Sequence, residues 1–281
     1  GAWTLCEDMA PTSLFAALGG SPDAGGTWTD PNGLAHGPNV DPSVDPGGVY
    51  TYAIAAIAPC LGATSTVTVT INALPDPGTN GALTVCDQGA PQGLFGALGG
   101  TPTAGGTWAA PGGAAHSGTI DPTIDPAGNY TYTVNGTAPC GSASAIVTVT
   151  ITSSPNAGTN GTWTLCESFA ATSLFAALGG SPDAGGTWTD PNGNAHGGLV
   201  DPANDPSGVY TYTIGAVPPC LGDASTVMVT INASPDPGID AALTVCDQGA
   251  PQSLFAALGG SPDAGGTWTA PGGAAHSGTI D

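Results

Sequence analysis

Short runs of alternating polar and apolar residues, broken by turns, make up most of the chain. Ser65 to Ile71 reads STVTVTI, with Val67, Val69 and Ile71 on one face and Thr66, Thr68 and Thr70 on the other. A period of two predicts a half-buried strand. Val49 to Ile54 reads VYTYAI and sets Tyr50 and Tyr52 against Val49, Thr51 and Ala53. Such β-branched and aromatic residues fit a pleated surface. Ala2 to Cys6 alternates in the same way, and GGTWT enters another strand with Trp28 as its apolar anchor. Between them, Leu14, Phe15 and Leu18 fit one helical turn or a tight apolar corner, which Gly19 and Gly20 end. Asp30-Pro31-Asn32-Gly33 predicts a hairpin turn, His36 to Pro42 reads as irregular, and Asp41 to Gly48 as a further turn region. Leu74 to Asn80, LPDPGTN, reads as a short stiff linker. No segment keeps a helical period.

The same wording returns every 80 residues. SLFAALGGSPDAGGTWT stands at Ser13, Ser173 and Ser253, with a variant at Gly93. Trp28, Trp108, Trp188 and Trp268 mark the period as expected core anchors, and His36, His116, His196 and His276 follow eight residues behind. A fixed period of this length signals an array of similar units. The expected units are 1–80, 81–160, 161–240 and a truncated first half at 241–281. Units one and three share TWTD-PNG, while two and four share ALTVCDQGAPQ, so a 160-residue pair is a second candidate period. Five to seven short strands per unit, with frequent turns, predict an all-β tandem array of Ig-like antiparallel sandwiches forming an extended rod.

Charge narrows the function. The chain has no Lys or Arg against 21 acidic residues, a net charge of −21. Nothing can neutralise phosphates, so nucleic acid and anionic membrane surfaces are excluded as partners. Without Lys or Arg, no salt bridge between side chains is expected, and stability must come from apolar burial, backbone ladders and disulfides. Trypsin has no site, so the denatured chain is expected to survive it intact. No run of about 18 apolar residues exists, so no membrane insertion is expected. No signal peptide stands at Gly1, which suggests a mature form or an internal fragment.

Seven cysteines follow the period. Each full unit carries two, 54 residues apart. An even count at fixed spacing reads as one disulfide per domain in an oxidising, extracellular compartment. The expected pairs are Cys6–Cys60, Cys86–Cys140 and Cys166–Cys220, with Cys246 pairing beyond Asp281. Each would stabilise by roughly 4 kcal/mol in the chain-entropy model. The competing pairing, Cys60–Cys86 and its equivalents, would staple neighbouring domains. Zinc is not expected, because there is no CxxC pair and the His lies far in sequence from either Cys.

Other chemistry is sparse. Asp41 and Asp45, Asp121 and Asp125, and Asp201 and Asp205 put two carboxylates four residues apart in a loop, which calcium can use. Each precedes Pro, however, as turn residues do, and no DxDxDG string or bidentate Glu accompanies them. Calcium is thus the one candidate ion, and no other cofactor is expected. GxSxG, HExxH and P-loop motifs are absent, the His residues read as local turn residues, and no enzymatic activity is expected. The N-glycosylation sequons at Asn135, Asn160 and Asn232 lack counterparts in every unit and read as chance matches.

The order Cys, L-F-x-x-LGG-x-P-x-x-GGTW, Asp-Pro turn, YTY, Cys, TVTVTI resembles the Ig-like or PKD-like repeats of giant surface adhesins of gliding Bacteroidota, exported by the type IX route. The resemblance covers all 281 residues. It implies an extracellular cell-surface filament or stalk for adhesion or gliding. The partners expected are further repeats of the same chain, identical chains in a fibre, and a surface or glycan ligand. The alternatives are a glycan- or calcium-binding module and a self-assembling sheath or surface-layer subunit.

Overall fold

A computed structural model describes residues 1–281. The first repeat runs β1 (Ala2–Cys6), β2 (Thr12–Ser13), α1 (Leu14–Ala17), β3 (Thr27–Thr29), β4 (Ala35–His36), β5 (Asn39–Val40), β6 (Gly48–Ile54) and β7 (Ala63–Asn72). One sheet has the order β1-β7-β6-β3-β4, and β2 pairs with β5 in a second. Leu5, Leu14, Val40, Tyr50 and Val67 are fully buried in the core they share, with Trp28 5% exposed. The alternation explains this burial: Val67 and Val69 face inward and the intervening Thr side chains outward.

The second repeat copies this plan with β8 (Gly81–Cys86), β9 (Gln92–Gly93), β10 (Thr107–Ala109), β11 (Ala115–His116), β12 (Thr119–Ile120), β13 (Gly128–Val134) and β14 (Ala143–Thr152). The third does so with β15 (Gly161–Cys166), β16 (Thr172–Ser173), β17 (Thr187–Thr189), β18 (Ala195–His196), β19 (Leu199–Val200), β20 (Gly208–Ile214) and β21 (Asp223–Asn232). Each has its own core. The last 41 residues form only β22 (Gln252–Ser253), α2 (Leu254–Ala257), β23 (Trp268–Thr269), β24 (Ala275–His276) and β25 (Thr279–Ile280), and Trp268 is half-buried there. Two compact units result: Gly1–Ser154 with Ala216–Leu221, and Pro155–Gly215 with Gly222–Asp281.

Each full repeat is an immunoglobulin-like sandwich, with three departures from the sequence reading. The sheet is mixed, because β1 runs parallel to β7, pairing Ala2 with Thr68 and Cys6 with Asn72. The stretch read as irregular contains β4 and β5, each two residues long and paired to β3 and β2. The linker read at Leu74–Asn80 is bound to the second repeat. Thr79 and Gly99 exchange two backbone hydrogen bonds (2.9 and 3.0 Å), and Thr103 N–H donates to the Asp76 carbonyl (2.7 Å). Asn80 Oδ1 accepts from Ile146 N–H (2.8 Å).

Two tyrosines organise the sandwich. Tyr50 Oη donates to the Pro46 carbonyl at 2.8 Å, four residues upstream, which is the tyrosine corner of immunoglobulin-like domains. Two residues on, where antibody domains place a core cysteine, stands Tyr52. Its ring packs on Trp28 with centroids 5.0 Å apart. Its hydroxyl accepts from Gly26 N–H (2.7 Å) and donates to the Asp23 carbonyl (2.9 Å). Tyr52 thus stands at the position of that cysteine, and the cysteines of this chain are used elsewhere.

Candidate functional site

The cysteines join successive repeats. Cys6 bonds Cys140 and Cys86 bonds Cys220, each with a Cα–Cα distance of 5.0 Å and a sequence separation of 134. This corrects the expected pairs Cys6–Cys60 and Cys86–Cys140, and the alternative Cys60–Cys86 as well. Cys166 and Cys220 are not paired either, since Cys220 is taken by Cys86 and Cys166 is a free thiol. The strand register gives the reason. Parallel pairing sets Cys6 beside Asn72 at the end of β7, whereas Cys60 lies in the loop before β7 begins. Ten residues of strand separate the two, about 30 Å. A disulfide requires Cα atoms within about 7 Å. No 54-residue pairing can close.

The clasp is therefore head-to-tail. The loop between β13 and β14 brings Cys140 to the far end of the first repeat's sheet. Asn72 Nδ2 donates to the Thr137 and Ala138 carbonyls (3.2 and 2.8 Å), and Cys140 Sγ lies 3.3 Å from the Asn72 carbonyl. At the second clasp, Thr152 holds the place of Asn72, and Cys220 Sγ lies 3.3 Å from its carbonyl. There Ser154 donates to Asp87 from both its hydroxyl and its N–H. The hydroxyl bond, before the N–H, holds the Asp87 carboxyl below the usual range. Cys86, Asp87 and Cys220 lie close enough to hold a metal ion, but the disulfide consumes both sulfurs. Cys60, Cys166 and Cys246 are free. Cys166 repeats the setting of Cys6, opposite Asn232 at the end of β21. Its thiol is held below the usual value by the Ser168 hydroxyl first and Ser234 next.

The paired aspartates are occupied by their own loops. Asp41 accepts from Ser43 N–H (3.1 Å) and Oγ (2.7 Å), and Asp45 accepts from Asp41 N–H (2.7 Å). Asp121 and Asp125 repeat this, as do Asp201 and Asp205, with Ala203 N–H and Asn204 Nδ2 as donors to Asp201. The second carboxylate of each pair also meets a histidine. His36 Nε2 lies 3.2 Å from Asp45, and His116 and His196 lie 3.4 Å from Asp125 and Asp205. Each imidazole packs against the corner tyrosine, with centroids about 5 Å apart. Burial first, then the nearby Asp45 or Asp205 charge, pushes Tyr50 and Tyr210 up to about 12. This corrects the sequence reading, which gave the histidines no carboxylate partner and expected no side-chain salt bridge: an imidazole can pair with a carboxylate where Lys and Arg are absent. The constant nine-residue step from His36 to Asp45, His116 to Asp125 and His196 to Asp205 was the available signal.

One cleft of about 460 Å³ lies in the first repeat between Phe15, Gly25, Trp28, His36 and Pro38. Its counterpart in the third is about 310 Å³. There Gly198, at φ +79°, lies against Trp188, where an added Cβ would come within 2.8 Å of the indole. Gly198 N–H also donates to His196 Nδ1 (3.1 Å). Pro38 has no N–H, and His36 Nδ1 instead lies 2.8 Å from the Gly37 carbonyl.

No known family pattern matches the chain, and no curated protein sequence matches it. Among solved structures, the chain is similar to the I-band fragment I67–I69 of titin, with 14% identity, TM-score 0.44, 82% of this chain and 95% of that one covered. It is also similar to extracellular domains 3–5 of Drosophila OTK (14%, TM-score 0.29, 83% and 94%) and to the four N-terminal Ig domains of Dscam1 isoform 4.44 (13%, TM-score 0.30, 73% and 65%). No helix is long and apolar enough to cross a membrane.

Proposed function

We propose that this chain is a stretch of an extracellular structural fibre, a cell-surface filament or stalk serving adhesion or gliding. Its repeats, taken as 1–80, 81–160, 161–240 and 241–281, carry no enzymatic site. The observation behind this reading is the pairing of Cys6 with Cys140 and Cys86 with Cys220. A bond that ties one repeat to the next serves connection along an array, and such bonds persist in oxidising compartments. In the chain-entropy model a loop of this size stabilises by about 5 kcal/mol. The partners in this reading are further repeats, identical chains and a surface ligand, and the role is that of type IX-exported gliding adhesins.

Immunogold labelling of intact producing cells tests it. Label along thin threads outside the envelope is expected, and label confined to the cytoplasm overturns the reading. Multi-chain tubes in the same micrographs would favour a sheath instead. A glycan-binding module is the second reading, supported by the cleft at Phe15 and Pro38. Glycan-array binding lost in Phe15→Ala would establish it, although Trp28 is too buried to stack on a sugar. Calcium would have to displace the backbone donors of Asp41 and Asp45. A melting temperature that calcium leaves unchanged removes that option.

A further inference from the structure

The two disulfides interlock. Cys86 lies inside the loop closed by Cys6–Cys140, and Cys140 lies inside the loop closed by Cys86–Cys220. We propose that this arrangement is a redox-releasable extension limiter. It rests on the pairing alone, so it stands whether or not the chain is a surface fibre.

The covalent path under tension follows from the residue numbers. Pulled from Gly1 and Asp281, the force runs from Gly1 to Cys6 and crosses to Cys140. It then travels backwards to Cys86, crosses to Cys220 and continues to Asp281. Residues 6–86 and 140–220 are left slack. With every sandwich unfolded, only about 120 residues are drawn taut, roughly 400 Å at the full extension of a chain. The second repeat is loaded in reverse, entered at Cys140 and left at Cys86.

Release requires a reductant, for which a dithiol serves. One thiolate attacks a cystine sulfur, forming a mixed disulfide and freeing one cysteine thiolate. The second thiol then closes the dithiol into a ring disulfide and frees the other cysteine. Each clasp takes up two electrons and two protons, and the dithiol loses the same. With both clasps open, about 160 further residues join the path, roughly 550 Å.

Interlocked loops release unequally, and within-repeat bonds would not. Removing one clasp lets the other still bridge 134 residues, so about 26 residues are gained, roughly 90 Å. The second removal then yields about 134, roughly 460 Å. Single-molecule stretching of the 281-residue chain, held at its termini, reads these steps directly. The Cys86→Ser/Cys220→Ser variant leaves no unpaired partner of the lost clasp. Relative to the parent chain, it should lengthen by about 90 Å when oxidised, and by far more once dithiothreitol is added. Bonds Cys86–Cys140 and Cys166–Cys220 would instead make that variant gain about 108 residues, roughly 370 Å. That gain, or an oxidised parent chain that stretches to full length, overturns the proposal.

Discussion

Two adjacent glycines before the strand tryptophan do different jobs, and substitution separates them. In the second repeat, Gly105 sits at φ +92° with open space around it, whereas Gly106 has no unusual φ but no room. An added Cβ on Gly106 would lie 2.5 Å from the Thr133 carbonyl oxygen and 2.6 Å from Tyr132 Cζ. Ordinary contact begins at 3.4 Å, so nearly 1 Å must be found. The shift would also break the 2.8 Å bond from Gly106 N–H to Tyr132 Oη. A lost hydrogen bond costs about 1 kcal/mol and overpacking about 1–3. We expect Gly106→Ala to cost about 3 kcal/mol, and Gly105→Ala about 1–2 from left-handed strain alone. For a domain of this size, 1 kcal/mol shifts the melting temperature by about 4–8 °C. Hydrogen exchange across β13 measures the second repeat separately from the others. A Gly106→Ala protein no less protected there than Gly105→Ala would refute the close-approach argument.

Iodoacetamide should label three cysteines of the denatured, unreduced chain (Cys60, Cys166 and Cys246) and seven after reduction, with Cys6 and Cys140 in one cross-linked peptide. A Cys6–Cys60 peptide would contradict the register. Tyr50 and Tyr210 have folded values raised to about 12, so the stability tied to their neutral form is full below about 10 and lost as pH rises through 12. A rapid absorbance titration should therefore show them ionising late, together with unfolding. The turn carboxyls Asp30 and Asp190 are lowered, chiefly by the N–H groups of Leu34 and Asn194. Their stabilisation is present above about 4 and lost as pH falls through the lower folded values. Asp190→Ala should flatten the fall in melting temperature below pH 4, and an unchanged acid limb would count against that turn.

Patterns that depend on neighbours in sequence were legible. Val67, Val69, Tyr50 and Tyr52 point inward because a strand's period of two forces it. Asp30 to Gly33 turns because its side chain caps its own loop, with Asn32 and Leu34 N–H donating to Asp30 Oδ1 (2.9 and 2.7 Å). Features set by distant pairing were not legible. Strands β4 and β5 are two residues long, too short to show a period. The parallel match of β1 to β7 brings together residues 66 apart, and nothing local in AWTLC announces it. Disulfide connectivity inherits that blindness, since a spacing of 54 looks domestic until the register shows that its ends face opposite ways. The aromatic filling of the sandwich was half visible: Trp28 read as a core anchor, but nothing local marked Tyr52 as standing at the position of a core cysteine.

The overlap of the two cystine loops also bears on damage. A peptide bond hydrolysed anywhere between Cys6 and Cys220 falls inside at least one loop. The severed ends stay fastened to a common molecule, and the lesion becomes a local loosening instead of a loss of everything downstream.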